Sequence, residues 1–480
     1  LFTRFDGTGR TPRPLQTEFL TWLSENWNNA DVFGGQLPCG VGKSGIAQAI
    51  SLETKAHTIA VSNALLDQYV DTYSEANYVK GQAHYLCTDT GLNCSETKDL
   101  LGQRCEGCKY TTCKKRAESE ATIFNPISYW ALNEASPKVL IVDEAHRLID
   151  TLMLLCGIKF RKSKYRYPDK INEVSVTNWM SSQVDVLRRL SEKHKASGNT
   201  KEASNALQES KQIAMALRGL RENPNLYAVY EEKTTFRKQT ENYLCVMPVE
   251  LPHFILKPFL ECEKLILLSA TLLEPLVQKL ALGKKYLYKD MSSPIPADSR
   301  AVVFDPYPGE GGSKADAVKR AAWVKKQMTR YPGRNTIVHC TYARANELRE
   351  YFPDAFVNTS ENKMEVLAKF KAQGGLWLAS GCAEGIDLPG DECRLNLIPD
   401  IMWANYGDPV VQKRLGLPNG RLQYDLDAIT LLIQQTGRST RSVNDWSTTV
   451  IGDSRLLRLM KSRQKYVPMS FWQSIQWRPT

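Results

Sequence analysis

Seven short, β-branched apolar runs recur along the chain, around His57 to Ser62, Lys138 to Val142, Lys264 to Ser269, Asn335 to Cys340, Leu376 to Ser380, Leu395 to Pro399 and Thr448 to Ile451. Each is strand-length, and most are followed at once by a string of polar or small residues. Helical patterns lie between them, as at Leu15 to Trp27 and Ala317 to Met328. Buried strands that alternate with helices belong to parallel sheets, and in such sheets the loops at the carboxyl ends of the strands bind ligands. The pattern predicts an α/β chain, and 480 residues are more than one hydrophobic core sustains, so several domains are expected.

Two segments interrupt the alternation. From about Ala83 to Glu120 apolar residues are few and five of the twelve cysteines gather, which predicts a fold that depends on bound metal. From about Thr151 to Glu241, Met180, Val184 and Leu187, then Ala203, Leu207, Ala214 and Leu217, recur at helical spacing around a break at Gly198 and Asn199. That spacing predicts an inserted helical hairpin.

Phosphate chemistry is written at three places. In Leu37-Pro38-Cys39-Gly40-Val41-Gly42-Lys43-Ser44 the glycines let backbone N–H groups approach phosphates. Lys43 would reach the terminal phosphates and Ser44 would hold Mg²⁺. Leu37 stands where the general P-loop pattern has its first glycine, so the string taken alone is also compatible with a chance turn. The run Val139 to Val142 delivers Asp143-Glu144-Ala145-His146. In a nucleotide hydrolase Asp143 would bind Mg²⁺ and Glu144 would orient and deprotonate the attacking water; the bland alternative is an exposed acidic loop. Gln434-Gln435-Thr436-Gly437-Arg438-Ser439-Thr440-Arg441 puts two guanidiniums three residues apart, suited to charge on a transferring phosphoryl group, or else to a solvated arginine helix.

Taken in order, with Ser269-Ala270-Thr271 between them, these strings resemble the motif series of superfamily 2 helicases of the DEAH-box type. Glu384-Gly385-Ile386-Asp387-Leu388-Pro389-Gly390-Asp391 is similar to motif V of the iron-sulfur branch that includes XPD and DinG. Arg13-Pro14-Leu15-Gln16, Val61 to Gln68, Lys80 to Cys87 and Asn125 also match that branch. The resemblance implies two RecA-like parallel-sheet motor domains with ATP between them. The first would occupy 1–149, with an iron-sulfur insertion at 84–118, and would resume at 242–283 after a helical arch-like insertion at 150–241. The second would occupy 284–480. Gln16 would read adenine, and Gly40, Val41, Gly42, Lys43, Ser44, Asp143 and Glu144 would complete the first half of the site. Gln434, Arg438 and Arg441 would act from the second domain, and Asp387 would couple the site to nucleic acid. The implied activity is ATP-dependent unwinding by a motor that moves on single-stranded DNA from 5′ to 3′ and engages single-strand/duplex junctions. The length implies a compact, phage- or bacterial-like version of the family.

Cys87, Cys94, Cys105, Cys108 and Cys113 offer five thiols where a four-iron, four-sulfur (4Fe-4S) cluster takes four. The resemblance selects Cys87, Cys94, Cys105 and Cys108; a competing set replaces Cys94 with Cys113. On spacing alone, the Cys-x-x-Cys pair at Cys105 and Cys108 points to zinc.

A net charge of +10 and a pI near 8.9 suit a polyanionic partner, and equally suit simple solubility. Lys159 to Tyr167 interleaves cations with aromatic rings. Those groups could neutralise phosphates and stack on bases, or form a solvated edge strand. Lys114, Lys115 and Arg116 are open to the same two readings. No apolar stretch spans a bilayer and the amino terminus lacks a signal-peptide pattern, so the expectation is a cytoplasmic monomer away from membranes. Besides a DNA helicase, the sequence is compatible with a strand-stimulated translocase or remodeller acting on DNA or RNA. It is also compatible with a metal-containing nucleic-acid binding module that uses nucleotide as a switch.

Overall fold

The computed structural model describes residues 11–38, 40–73, 76–101, 107–132, 137–236, 239–307, 317–383, 385–440 and 442–477. In chain order the strands are β1 (Val32–Gln36), β2 (His57–Ala60), β3 (Asn77–Val79), β4 (Thr122–Phe124), β5 (Val139–Asp143), β6 (Ile158–Arg161), β7 (Tyr227–Phe236), β8 (Gln239–Pro248), β9 (Lys264–Ser269), β10 (Tyr286–Asp290), β11 (Arg300–Phe304), β12 (Thr336–His339), β13 (Phe356–Val357), β14 (Leu376–Ala379), β15 (Leu395–Ile398), β16 (Ser447–Ile451) and β17 (Ile475–Trp477). They form two seven-stranded sheets, ordered β10-β1-β9-β5-β2-β4-β3 and β13-β14-β12-β15-β16-β11-β17, and a three-stranded sheet, β6-β8-β7. Both large sheets are parallel; the small one is antiparallel.

All seven apolar runs of the sequence are strands, and all lie inside the large sheets rather than at their edges. β5 is buried at every residue, as expected of a parallel strand covered on both faces. β1 neighbours β9 near the middle of the first sheet although its sequence, Val-Phe-Gly-Gly-Gln, is poor strand material. Its glycines are there for room. A Cβ on Gly34 would stand 2.5 Å from Val277 on one face, and one on Gly35 would stand 2.6 Å from Phe19 on the other. Helices therefore press directly on both faces of this strand, as period-two alternation allows.

The inserted lobe departs from the helical hairpin that the sequence predicts. The hairpin is present, as Glu173–Ala196 and Thr200–Glu222. Asn172 caps the first helix by accepting the Ser175 N–H at 2.9 Å, a contact worth about 1 kcal/mol. Gly198 makes the turn at φ +77°. The correction is the sheet β6-β8-β7, which closes one core with the helices around Phe160, Met180, Ile213, Leu217, Tyr227 and Leu244. Strand pairing also moves two boundaries. β8 keeps the lobe sheet going to Pro248, past residue 241, and β10 joins the first large sheet beyond residue 283.

The lobe touches both of its neighbours. Gln208 approaches Ser95 of the cysteine segment at 3.4 Å. From the second domain, Lys413 reaches Glu173 at 3.3 Å and Arg414 donates to the Val249 carbonyl at 3.1 Å. Among the described residues, no helix is long and apolar enough to cross a membrane.

Candidate active site between the two sheet domains

The carboxyl ends of the strands build a cleft of about 430 Å³ whose walls come from both large domains. After β1 the chain turns through Gly40 (φ +82°) and Gly42 (φ +85°) and enters the helix Lys43–Thr54. Both angles are left-handed and favour glycine. Gly42 has a second reason to lack a side chain, because a Cβ would lie 2.7 Å from Gln16 Nε2. Val41 is buried in the core beneath the turn. The structure therefore builds the glycine turn and helix N-terminus that phosphate binding requires, although Leu37 opens the string.

Gln16 lies behind this turn. Its Oε1 accepts the Arg13 N–H at 2.8 Å and its Nε2 donates to the Gly42 carbonyl at 2.9 Å. It thus braces the glycine turn, and it also lines, with Arg13, Ser44 and Tyr73, a second cavity of about 280 Å³.

β5 presents the two carboxylates in different settings. Asp143 is buried, with Oδ1 accepting the Glu144 N–H at 2.9 Å and Oδ2 accepting the Tyr69 hydroxyl at 2.8 Å. Burial and the adjacent Glu144 charge push its carboxyl up, against Lys43 and the Tyr69 bond. Glu144 moves the opposite way. Burial would raise it, but Lys43, through its charge and hydrogen bond, and Arg438 outweigh burial and hold it below the usual range. Its backbone is left-handed at φ 55°, a strain of about 1–2 kcal/mol for a residue with a Cβ. Such strain persists where the surroundings fix the residue, and here Glu144 pairs with Lys43 at 3.1 Å and accepts the Ser269 hydroxyl at 3.3 Å.

A chain of hydrogen bonds runs on from Glu144 into the second domain. Ser269 Oγ lies 2.7 Å from His146 Nδ1, and His146 Nε2 lies 2.7 Å from Gln434 Nε2. An amide nitrogen can only donate, so His146 Nε2 accepts and its proton sits on Nδ1. The direction is then set throughout: Gln434 donates to His146, His146 to Ser269, and Ser269 to Glu144. Gln434 also approaches the Thr271 hydroxyl at 3.4 Å. His146, Ser269 and Thr271 stand in strings that the sequence singles out, but only the fold supplies their roles as links, because Ser269 and Gln434 lie far from residue 146 in the chain.

Arg438 lines the same cleft and fastens two loops of the second domain. Its Nε donates to the Gln434 carbonyl at 3.0 Å, its Nη1 to the Ile386 carbonyl at 3.2 Å, and its own carbonyl accepts the Leu388 N–H at 3.2 Å. Asp387, exposed between Ile386 and Leu388, is held through its neighbours' backbone. Arg441 lies outside the described residues, as does Cys105.

In the cysteine segment, Cys87 and Cys94 flank a short hairpin in which Leu86 pairs with Asn93. Cys87, Cys94 and Cys108 are all buried, and the sulfurs of Cys94 and Cys108 are 3.5 Å apart. Cys113, half-buried, lies further along the helix Lys109–Ala117 and packs against the first-domain core. Among the described residues no three His, Cys, Asp or Glu side chains form a metal-sized group. Two thiolates on one tetrahedral zinc stand about 3.8 Å apart. A cubane, with a separate iron under each thiolate, spreads them wider, so the Cys94–Cys108 pair fits a single ion more directly than a cluster.

The cation-aromatic stretch at 159–167 takes the second of its two readings, an edge strand with a solvated face. Phe160, Tyr165 and Tyr167 are buried in the lobe core, where none of the rings is free to stack on a base. The cations are paired: Lys159 with Glu232, Arg161 with Glu241, Lys162 with Glu231 and Lys164 with Glu209. Near the cysteines, Arg116 pairs with Glu120 at 2.8 Å.

Residues 328–473 match the family model described as the helicase C-terminal domain. Over nearly its whole length the chain superposes on solved XPD structures. With an apo XPD the TM-score is 0.60 at 14% identity, covering 96% of this chain and 100% of the other. The fold is that of the solved XPD structures. With Xpd4 of S. tokodaii the TM-score is 0.58 at 12% identity, covering 97% and 100%. No curated protein sequence matches the chain. The two large parallel sheets are the RecA-like domains of that fold, and the cleft lies between them.

Proposed function

We propose that this chain is an ATP-driven DNA helicase that moves along single-stranded DNA from 5′ to 3′ and opens duplex at the junction. The observation that carries the reading is the hydrogen-bond chain from Glu144 through Ser269 and His146 to Gln434, because it ties the group suited to activate water to the opposite motor domain. A change at one end of such a chain is felt at the other only if the domains shift, which is the coupling a motor needs.

The residues fit nucleotide and Mg²⁺. Gly40 and Gly42 form a turn whose N–H groups suit phosphate. Asp143 is a buried carboxylate that burial disfavours as an anion, a cost that a nearby cation offsets. Mg²⁺ supplies charge neutralisation on the phosphates. In hydrolysis, Lys43 exchanges Glu144 for the terminal phosphates, and Glu144, released from its ion pair, orients the attacking water and takes its proton. Arg438 and Arg441 offset charge on the transferring group from the second domain. Gln16 holds the glycine turn beside the smaller cavity, which is placed to take the base. Polarity and preference for DNA are supported by the likeness of 384–391 to the motif V of XPD and DinG, and the +10 charge suits a strand partner.

In this reading the cysteine segment carries a metal. The family likeness supports a 4Fe-4S cluster on Cys87, Cys94, Cys105 and Cys108; the Cys94–Cys108 spacing favours zinc as the second reading. Metal analysis and the visible spectrum of anaerobically purified protein separate them: iron with a broad visible absorption supports the cluster, and stoichiometric zinc in a colourless protein rules it out.

Strand displacement with ATP tests the function, using matched duplexes with a 5′ or a 3′ overhang in DNA and in RNA. Unwinding only from the 5′ DNA overhang is expected. Strand-stimulated hydrolysis without displacement would identify a translocase or remodeller instead. Nucleotide-dependent strand binding with no hydrolysis would identify a nucleotide-switched binding module.

A further inference from the structure

Tyr69 sits on the helix Asn63–Thr72, which starts at the carboxyl end of β2 with Ser62 accepting the Leu65 N–H at 3.1 Å. Ser62, Leu65 and Gln68, from the amino-terminal part of this helix, line the cleft. Tyr69 lies one turn beyond Leu65 on the helix face that turns into the first-domain core, and it is 1% exposed. As packing alone, phenylalanine would fill that position without the cost of burying a hydroxyl. The hydroxyl has a use: it donates to Asp143 Oδ2 at 2.8 Å.

An ionised carboxylate is an acceptor only, with about four lone-pair sites on its two oxygens. At Asp143 the Glu144 N–H takes one site on Oδ1, and Tyr69 takes one on Oδ2. A donor on each oxygen fixes the rotation of the group about its Cβ–Cγ bond. The sites left for a metal ion or its water then point in one direction. The backbone donor is present whatever residue occupies position 69. Only the second donor depends on the side chain, and it comes from a helix 74 residues away in the chain.

We propose that Tyr69 is a positioning residue for the metal-binding carboxylate of the nucleotide site, its hydroxyl holding Asp143 in the orientation that receives Mg²⁺. This rests on the functional reading above and adds a residue to it. It also joins the cleft-lining helix to the metal site, so that a shift of that helix is passed to Asp143.

The test uses the full chain carrying Tyr69→Phe, which removes one oxygen and keeps the packing volume. ATP turnover is measured against Mg²⁺ concentration at saturating nucleotide and strand, beside nucleotide binding in EDTA and thermal melting. Tyr129→Phe, which removes a buried hydroxyl bonded to the Pro258 carbonyl elsewhere in the first-domain core, is the control. Loss of a group that orients a metal ligand typically costs about 10- to 100-fold in metal affinity or activity. A tenfold or greater rise in half-saturating Mg²⁺ is therefore expected for Tyr69→Phe, with nucleotide binding in EDTA and melting close to wild type and no shift for Tyr129→Phe. A Mg²⁺ curve that superimposes on wild type overturns the role of Tyr69 alone. Absence of Mg²⁺-dependent turnover in the wild-type protein overturns the functional reading and this inference with it.

Discussion

The cleft and the lobe sheet both concentrate charge, but they assemble it differently. In the cleft, Lys43, Glu144, His146, Gln434 and Arg438 arrive from three segments and two domains and meet in a shared pocket. On the lobe sheet, Lys159, Arg161, Lys162 and Lys164 lie within six residues of one another. Each is answered by its own glutamate at the surface. Exposed pairs of this kind contribute about 0–1 kcal/mol and are screened by salt. Groups withdrawn from water interact more strongly, and breaking such a set leaves a partner uncompensated. Density of charge in a sequence is therefore a poor guide to chemistry, whereas long-range convergence with burial is a good one.

The largest expected effect falls on Glu144, the carboxylate proposed to activate water. Glu144→Gln should lower strand-stimulated ATP turnover by about 10²- to 10⁴-fold, the usual contribution of a general base, while nucleotide binding persists. Phosphate release measured under saturating ATP checks this.

Asp143 offers a test by pH. Its folded pKa is raised above the ordinary value of 3.8 to about 6, so the proton is held more tightly in the folded state. Its favourable contribution is present below pH 3.8 and is lost as pH rises through about 6. Asp143→Asn should accordingly raise the melting temperature at pH 7.5 in EDTA, by a free energy on the order of 1–3 kcal/mol, with the gain shrinking toward pH 4, while turnover is lost. A variant less stable than wild type at pH 7.5 would break the contrast with the lobe glutamates. Those shift the other way: Glu231 is lowered by the Tyr167 hydroxyl and by Lys162.

A smaller effect is expected at the interdomain link. Gln434→Ala removes the hydrogen bond to His146, worth about 1 kcal/mol or roughly fivefold in rate. It should depress strand displacement more than ATP turnover, measured side by side on one substrate. Smallest of all, Lys162→Ala and Arg161→Ala should each change stability by less than about 0.5 kcal/mol and leave single-strand affinity within twofold. A tenfold loss of affinity would return this stretch to the strand path.

How much the sequence disclosed follows the same division between local and distant. The interior strands were legible because β5, β9 and β15 are buried apolar runs that need no partner to be recognised. The glycine turn at Gly40 and Gly42 and the carboxylates that end β5 were legible because each is a contiguous string whose geometry is set by neighbouring residues. β1 is a strand or a loop on sequence alone because of Gly34 and Gly35, whose purpose depends on Phe19 and Val277 pressing from either face. The lobe strands β7 and β8 were hidden because helical spacing in the preceding hairpin dominates the segment. The stretch 159–167 stays open between two readings on sequence alone for a simple reason. Alternating aromatic and cationic residues describe a strand with one buried face as well as they describe a stacking platform, and only the cover supplied by Trp179 and the lobe helices decides. Tyr69 carries no signal in its own neighbourhood, since its partner is 74 residues away.

The measurement that bears most directly on the central claim is ATP turnover by the wild-type protein with and without single-stranded DNA, repeated with Glu144→Gln. A motor built on this cleft should hydrolyse slowly alone, accelerate at least tenfold with strand, and lose both rates in the variant. Turnover that is indifferent to strand, or that survives Glu144→Gln, would contradict it.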